Sequence, residues 1–498
     1  MKESSRLYFK IRNFGIATSG SVAIWAALSM PFVIGGGALS VDMSRIYNMD
    51  NELQSASDAL SKAGAAELDQ RSDSLVRASR AIERLVSNDQ RFSKDGFSQV
   101  EVDTTRYLKA LPPNDYDLIT DAYMTTIPSE ARYVEVKVKP ETVNTLFPTN
   151  FVAKIANVSM SAKSVAGFDQ TICETAPVFI CNPAENSGQS IYELLEERSF
   201  RRRQVQFISS GGRNSQYGPG NFGYLDPFGG NSGASKITDA IAIDKPQTCF
   251  SKSMGVRLRP GAISSVRHGL NTRFDIYEGS FKKKSTDISY APAANVVKGY
   301  AGNNSCSTKP DDDAIGLPRD ICFEAGNCSD ADGRLGNGDW DFIDYMRLNH
   351  NYRNSITIEN VTYTINYGAE TLTPSQPPSR YALYRWEIDN NAIPGPKNYG
   401  KFANSPEEGQ PICHSSGPSQ ITEDRRIIHV ALLNCDEIEN SGQSMAGRTD
   451  SLPVETFVKV FVTEPMGQGK DNVLWGEIVG PVVQGVDSVS NDQITVVR

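Results

Sequence analysis

Between residues 330 and 341 the chain carries Asp330, Asp332, Asn337, Asp339 and Asp341, interleaved with Gly333, Gly336 and Gly338. Oxygen side chains at close spacing, with glycines allowing sharp turns, suit a calcium ion. These five residues are therefore a candidate calcium site. The spacing departs from an EF-hand: Arg334 stands at the fifth position, and no glutamate stands at the twelfth. The competing reading is an Asx- and Gly-rich turn before a helix, with Asp339 as its N-cap. Other chemistry is thin. G-x-S-x-G and H-E-x-x-H are missing, and GPGNFGYLD (218–226) has no phosphate-loop lysine. Arg257, Arg259, His268, Arg273 and Asp275 could form a polar cleft, although charges flanking strands are ordinary. An enzyme is not expected, and neither is a cofactor other than calcium.

The other reactive residues are cysteines. Cys173, Cys181, Cys249, Cys306, Cys322, Cys328, Cys413 and Cys435 all lie in the later part of the chain. No two form a C-x-x-C pair, and the histidines at 268, 350, 414 and 429 are scattered, which argues against zinc. An even number of cysteines suggests disulfides in an oxidising compartment. Eight allow about 105 pairings, so connectivity stays open; Cys173 with Cys181, and Cys322 with Cys328, are the local guesses.

The element that places all of this is residues 13–41, a stretch without a charged side chain. A helix of twenty residues spans roughly 30 Å, the thickness of a bilayer's hydrocarbon core, and satisfies its own backbone. Lys2, Arg6, Lys10 and Arg12 precede the stretch, and Asp42, Asp50, Glu52 and Asp58 follow it. Basic flanks stay in the cytoplasm. The expected topology is a single-pass protein of a bacterial inner membrane, N-terminus inside and the bulk periplasmic. The apolar run exceeds a signal peptide's and no clear cleavage site follows, so the anchor is expected to stay whole.

The net charge of −9 argues against a nucleic-acid partner. Five segments are expected: a cytoplasmic tail (1–12), a transmembrane helix (13–41), a helical stalk (42–89), a small α+β unit (90–168) and a β-rich, disulfide-stapled exported domain (169–498). In the stalk Leu53, Ala56, Leu60 and Ala63 lie on a heptad-like stripe. That stripe either docks on a partner helix or packs on the protein's own next domain. A second helix is expected over 74–86. Alternation predicts strands at 99–104, 132–139 and 157–166. Further on, VQFISSGG, MGVRLRP, TRFDIYEG, NSITIENVTYTINYG, RYALYRWEI, RRIIHVALLNC, ETFVKVFVTEP and VLWGEIVG are strand candidates. Helices are expected near 190–200 and 339–348. The fold class is α+β.

Residues 15–70 resemble a known family. Gly20-Ser21 stands before an apolar segment holding Pro31; Asp42, Arg45 and Tyr47 follow; then come Leu53, Gln54, Ala56, Asp58 and Ala59 with a small-residue tail. This pattern resembles the Tad family, the TadG-like proteins of bacterial Flp (tight adherence) pilus assembly. CNP (181–183), NTRFDIY (271–277), LPRDIC (317–322) and GNGDWD (336–341) also look like segments of TadG-related proteins. The resemblance implies a membrane-anchored, non-enzymatic component of pilus biogenesis, in contact with other assembly proteins or pilins. Many TadG-like proteins carry a von Willebrand A-type domain with a D-x-S-x-S metal loop. No such loop occurs here, which leaves a degenerate, metal-free version of that core as one option. The alternative function is an adhesin or receptor for a carbohydrate or protein, reading its ligand through Tyr217, Phe222, Tyr224, Trp340 and Trp386.

Overall fold

The computed structural model describes residues 21–498 except 70, 87–89, 93–95, 99, 145–156, 210–216, 218, 230–232, 253, 260–262, 300–314, 396–408, 416–422, 446–448, 468–472, 484–485, 488 and 491–492. The expected tail (1–12) and the start of the expected membrane helix fall outside the described residues. The chain divides into two units. One takes residues 1–168 and returns for 494–498; the other is 169–493.

The first unit is organised by one helix, α1, Ser21–Ala65. Nothing in its middle breaks it, and Pro31 is accommodated within it. Its first half presents Val22, Trp25, Leu28, Phe32 and Val33 to the outside. It is long and apolar enough there to cross a membrane. Its second half is a core element. Met49, Leu53, Ala56, Leu60 and Ala65 are buried in one cluster with Ala78 and Ile82 of α2 (Ser74–Val86) and with Val134, Val136 and Val138. Those valines alternate along β2 (Tyr133–Val138), which lies between β1 (Val102–Leu108) and β3 (Lys163–Asp169). The C-terminal strand Gln493–Val496 adds to the β3 edge. The expected stalk and small α+β unit therefore share a single core. A sheet this small with one apolar face needs a covering helix, and α1 supplies it.

In the second unit seven strands form a mixed sheet: β4 (Val178–Cys181), β5 (Gln204–Ser209), β6 (Asn221–Leu225), β7 (Leu258–Arg259), β8 (Ile427–Leu433), β9 (Thr456–Val462) and β10 (Leu474–Pro481), in the order β5-β10-β9-β8-β4-β6-β7. β5 also pairs in parallel with β6 through Ile208↔Asn221 and Ser209↔Phe222, which closes six strands on themselves. Both faces are buried: Ile428, Val430 and Leu432 of β8 join one cluster, Ala431 and Leu433 another. This is why the two central strands read as near-continuous apolar runs. Only β4–β8 and β5–β6 are parallel; β5–β10, β10–β9, β9–β8, β4–β6 and β6–β7 are antiparallel. A doubly wound core is mostly parallel, so the sheet lends no support to the degenerate von Willebrand A-like option.

A satellite layer packs helices α3 (Phe342–Asn349) and α4 (Arg380–Asp389) with a three-stranded sheet, Ser355–Ile358, Val361–Asn366 and Thr371–Thr373, around Ile356, Ile358, Tyr363, Ile365 and Leu383. Its first turn, Glu359-Asn360, has φ of 48° and 64°, the geometry of a tight primed hairpin.

Two strand expectations are corrected. RYALYRWEI is the helix α4: Ser379 caps it by accepting from the Ala382 N–H at 3.1 Å, and Arg380, Leu383, Tyr384 and Glu387 fall at helical spacing on the buried face. TRFDIYEG begins in a 3-10 turn, Thr272–Phe274, after the helix Val266–Asn271. The helix expected from 339 starts at Phe342, and its N-cap is Asp341, not Asp339.

Disulfides join Cys173 to Cys249, Cys181 to Cys435 and Cys322 to Cys328. The last is the expected local pair. The Cys173–Cys181 guess is overturned: Cys173 sits opposite Cys249 in a short antiparallel ladder, while β4 carries Cys181 alongside Leu433, two residues before Cys435. Cys413 is disulfide-bonded as well, and no described cysteine is free. Cys306 lies outside the described residues.

Candidate functional site

The N-terminal helix is the first candidate, and its two halves use small residues differently. In the exposed half Gly35, Gly36 and Gly37 have open space where a side chain would stand. In the buried half smallness is used for close approach. A Cβ on Gly64 would come within 2.8 Å of Ile82 Cδ1 and 3.3 Å of Val134 Cγ1. Ser57 donates to the Val136 carbonyl at 2.9 Å, and Ser61 meets Ser164 at 3.1 Å. The stripe of Leu53, Ala56 and Leu60 is buried on this same face, and Ala63 is half-buried. Of the two expected roles of the stripe, the structure shows Leu53, Ala56 and Leu60 packed on the protein's own core. Apolar and small side chains dock α1, together with α2, on the unit's own sheet.

The second candidate gathers the charged residues. Asp320, Arg380 and Glu477 are each fully buried. Arg380 donates to Asp320 Oδ1 at 2.6 Å, to Glu477 Oε1 at 2.7 Å and to the Pro318 carbonyl at 2.7 Å. The remaining carboxylate oxygens are also used. Asp320 Oδ2 accepts from the Gly338 N–H at 2.7 Å and the Gln204 N–H at 3.2 Å; Glu477 Oε2 accepts from the Tyr381 N–H at 3.1 Å. Burial pushes the Glu477 carboxyl up to about 7, with Arg380 and the backbone N–H groups pulling the other way. Trp340 lies against the Arg380 guanidinium at 5.1 Å. With every donor and acceptor engaged, the cluster has no open valence for a substrate. It is a clasp between α4, β10 and the 320–340 loop.

GNGDWD belongs to this clasp. A Cβ on Gly336 would overlap the Asp320 carboxylate, and Gly338, at φ 80°, leaves room for the Arg202 stem. The calcium candidates do not converge. Asp330 is ion-paired with Arg203, Asn337 accepts from the Asp339 N–H at 3.1 Å, and Asp341 caps α3. Among the described residues no three His, Cys, Asp or Glu side chains come together as a metal site. The signal that could have identified the motif was its glycines, which in a buried loop mark close approach to a side chain.

The suggested polar cleft also separates. Arg257 is paired with Asp450, and Arg267 bonds Glu278 beside His268. Arg273 is buried and donates to the Arg425 and Ile241 carbonyls at 2.6 and 2.8 Å. Asp275 accepts from the N–H groups of Ile412, Cys413 and His414 at 2.6, 2.6 and 3.0 Å. Of the aromatics taken as a ligand surface, Phe222, Tyr224 and Trp340 are buried in the core. The arginine pair that opens RRIIHVALLNC was not singled out in the sequence, yet both members are buried. Arg425 donates to the Ala242 and Ala291 carbonyls, and Arg426 to those of Val462 and Thr463.

No curated protein and no solved structure matches the chain. Residues 20–67 match the family model Tad, "Putative Flp pilus-assembly TadE/G-like". The match starts just before α1 and ends just after it, covering the exposed apolar half and the buried half together. Over that stretch the chain is similar to the Tad family.

Proposed function

We propose that this chain is a membrane-anchored, non-enzymatic component of Flp/Tad-type pilus assembly. It acts by contacts of its exported part with other assembly proteins or pilins. The observation that carries the reading is the Tad match at residues 20–67, which lies on a helix apolar and exposed at one end and built into a folded core at the other. Such a helix fixes its own unit to the bilayer. The basic residues before it and the acidic residues after it favour a cytoplasmic N-terminus. Three disulfides among the described residues favour an oxidising compartment beyond the membrane, which is the periplasm in this topology.

The test has two arms. Deleting the gene is expected to abolish surface pili, with restoration by the full chain but not by a version lacking residues 1–41. Protease added to spheroplasts is expected to degrade the part after residue 42 and spare an N-terminal tag. Normal piliation in the deletion strain would sink the assembly role. A protected C-terminal part would sink the topology and leave the assembly role standing.

A further inference from the structure

Arginines are buried throughout the second unit, and their donors are not equally satisfied. Arg380, Arg425 and Arg426 all donate to carboxylate or carbonyl oxygens. Arg202 is only 8% exposed, its Nε is enclosed without a hydrogen-bond partner, and its guanidinium makes no ion pair among the described residues. Arg201, beside it and half-buried, and the buried Arg273 also have an enclosed Nε without a partner. An enclosed N–H donor without a partner is costly.

Both arginines line a cavity of about 250 Å³, together with Arg198, Glu359, Tyr363 and Tyr381. The cavity is a built one. Tyr363 stands on the Val361–Asn366 strand and packs edge-on against Phe342. The Arg198 guanidinium is held by the Glu359 carbonyl at 3.4 Å. Tyr381 stands in the first turn of α4, its N–H fixed by Glu477, and the Arg202 carbonyl itself accepts from Arg380 at 3.4 Å. The buried clasp therefore braces the wall from behind. Three arginines against one carboxylate leave the cavity positive, and two phenol rings and several prolines give it a flat, partly apolar lining.

We propose that this cavity binds a small organic oxyanion, a phosphate monoester or a carboxylate on a planar apolar body. The oxyanion would take the guanidinium forks of Arg201 and Arg202, which match such groups in two-point geometry. The body would lie along Tyr363 and Tyr381. The site is independent of the assembly role, and its volume admits only a small ligand.

Calorimetric titration of the full chain in detergent tests this, with phenyl phosphate, benzoate and neutral benzyl alcohol as probes. One of the two anions is expected to bind one-to-one, and whichever binds more tightly identifies the head group. Arg202→Gln is expected to weaken that anion by roughly tenfold, Arg201→Gln by a similar factor and Arg198→Gln by about threefold, as lost charge-assisted bonds. Far-UV circular dichroism checks each variant's fold; if Arg202→Gln fails to fold, Arg201→Gln decides alone. The proposal is overturned by any of three results: neither anion binding at millimolar concentration, benzyl alcohol binding as tightly as the anions, or folded Arg201→Gln binding as tightly as the native chain.

Discussion

Both units have apolar cores, but what they add to them differs. The first fills its core with small and apolar side chains: Ala56, Ala65, Ala78, Val134 and Val136, joined by the hydroxyls of Ser57 and Ser61. The second buries whole charges: Arg380 with Asp320 and Glu477, Arg425 and Arg426 on carbonyls, and Glu387 accepting from Tyr345 at 2.6 Å and Asn295 at 2.5 Å. A helix laid on a sheet needs close approach and little else. Long loops that fold over a closed sheet leave many backbone carbonyls without ladder partners, and a buried carbonyl must be paired. Arginine, with five donors on a long stem, can pair several at once. The contrast implies that the first unit responds to changes in volume and the second to changes in charge.

The largest expected effect is in the clasp. Arg380→Met leaves two buried carboxylates facing each other without a cation, and breaking a buried pair this way costs about 3–5 kcal/mol. Urea unfolding followed by tryptophan fluorescence should show the loss in the second unit, while protease-resistant fragments of the first survive. If Arg380→Met is neutral, the charge-dependent half of the comparison fails.

Next comes the Cys181–Cys435 bridge, which spans 254 residues of sequence. Replacing both with serine is expected to cost about 2–5 kcal/mol, again confined to the second unit. Equal loss in both units would mean that they do not fold independently.

Ala56→Leu probes the other side. Ala56 is 4% exposed in the first unit's core, and overpacking costs about 1–3 kcal/mol. Limited proteolysis should release the first unit earlier and leave the second unchanged. Ser55→Leu, on the exposed face of α1, is the control and should change nothing.

The smallest effect concerns pH. Burial, with Asp436 and Glu455 close by, pushes the Glu185 carboxyl up to about 8. In the folded state it therefore holds its proton at pH values where the unfolded chain, near 4.5, has lost it. Stability from this group is present at low pH and is lost as pH rises towards 8. Glu185→Gln is expected to flatten that slope in urea midpoints measured between pH 5 and 8. A slope unchanged in the variant would assign the pH dependence to other groups.

Taken together, the sequence was informative wherever a pattern is local. The apolar run of α1 and the period of α2 set those elements, and alternation along Val134, Val136 and Val138 set a strand, because side-chain burial repeats with the helix or strand period. The six-residue spacing of Cys322 and Cys328 allowed their bridge to be guessed for the same reason. RYALYRWEI shows the limit: its aromatics suit a strand, and its helical phase becomes decisive only when Arg380 finds Asp320 and Glu477, sixty and ninety-seven positions away. The pairing of Cys181 with Cys435, the withdrawal of GNGDWD from metal binding and the covering of the α1 stripe were likewise decided by tertiary structure. Each depends on a partner distant in sequence, and one chain's residue types do not say which distant carboxylate, cysteine or sheet face will arrive.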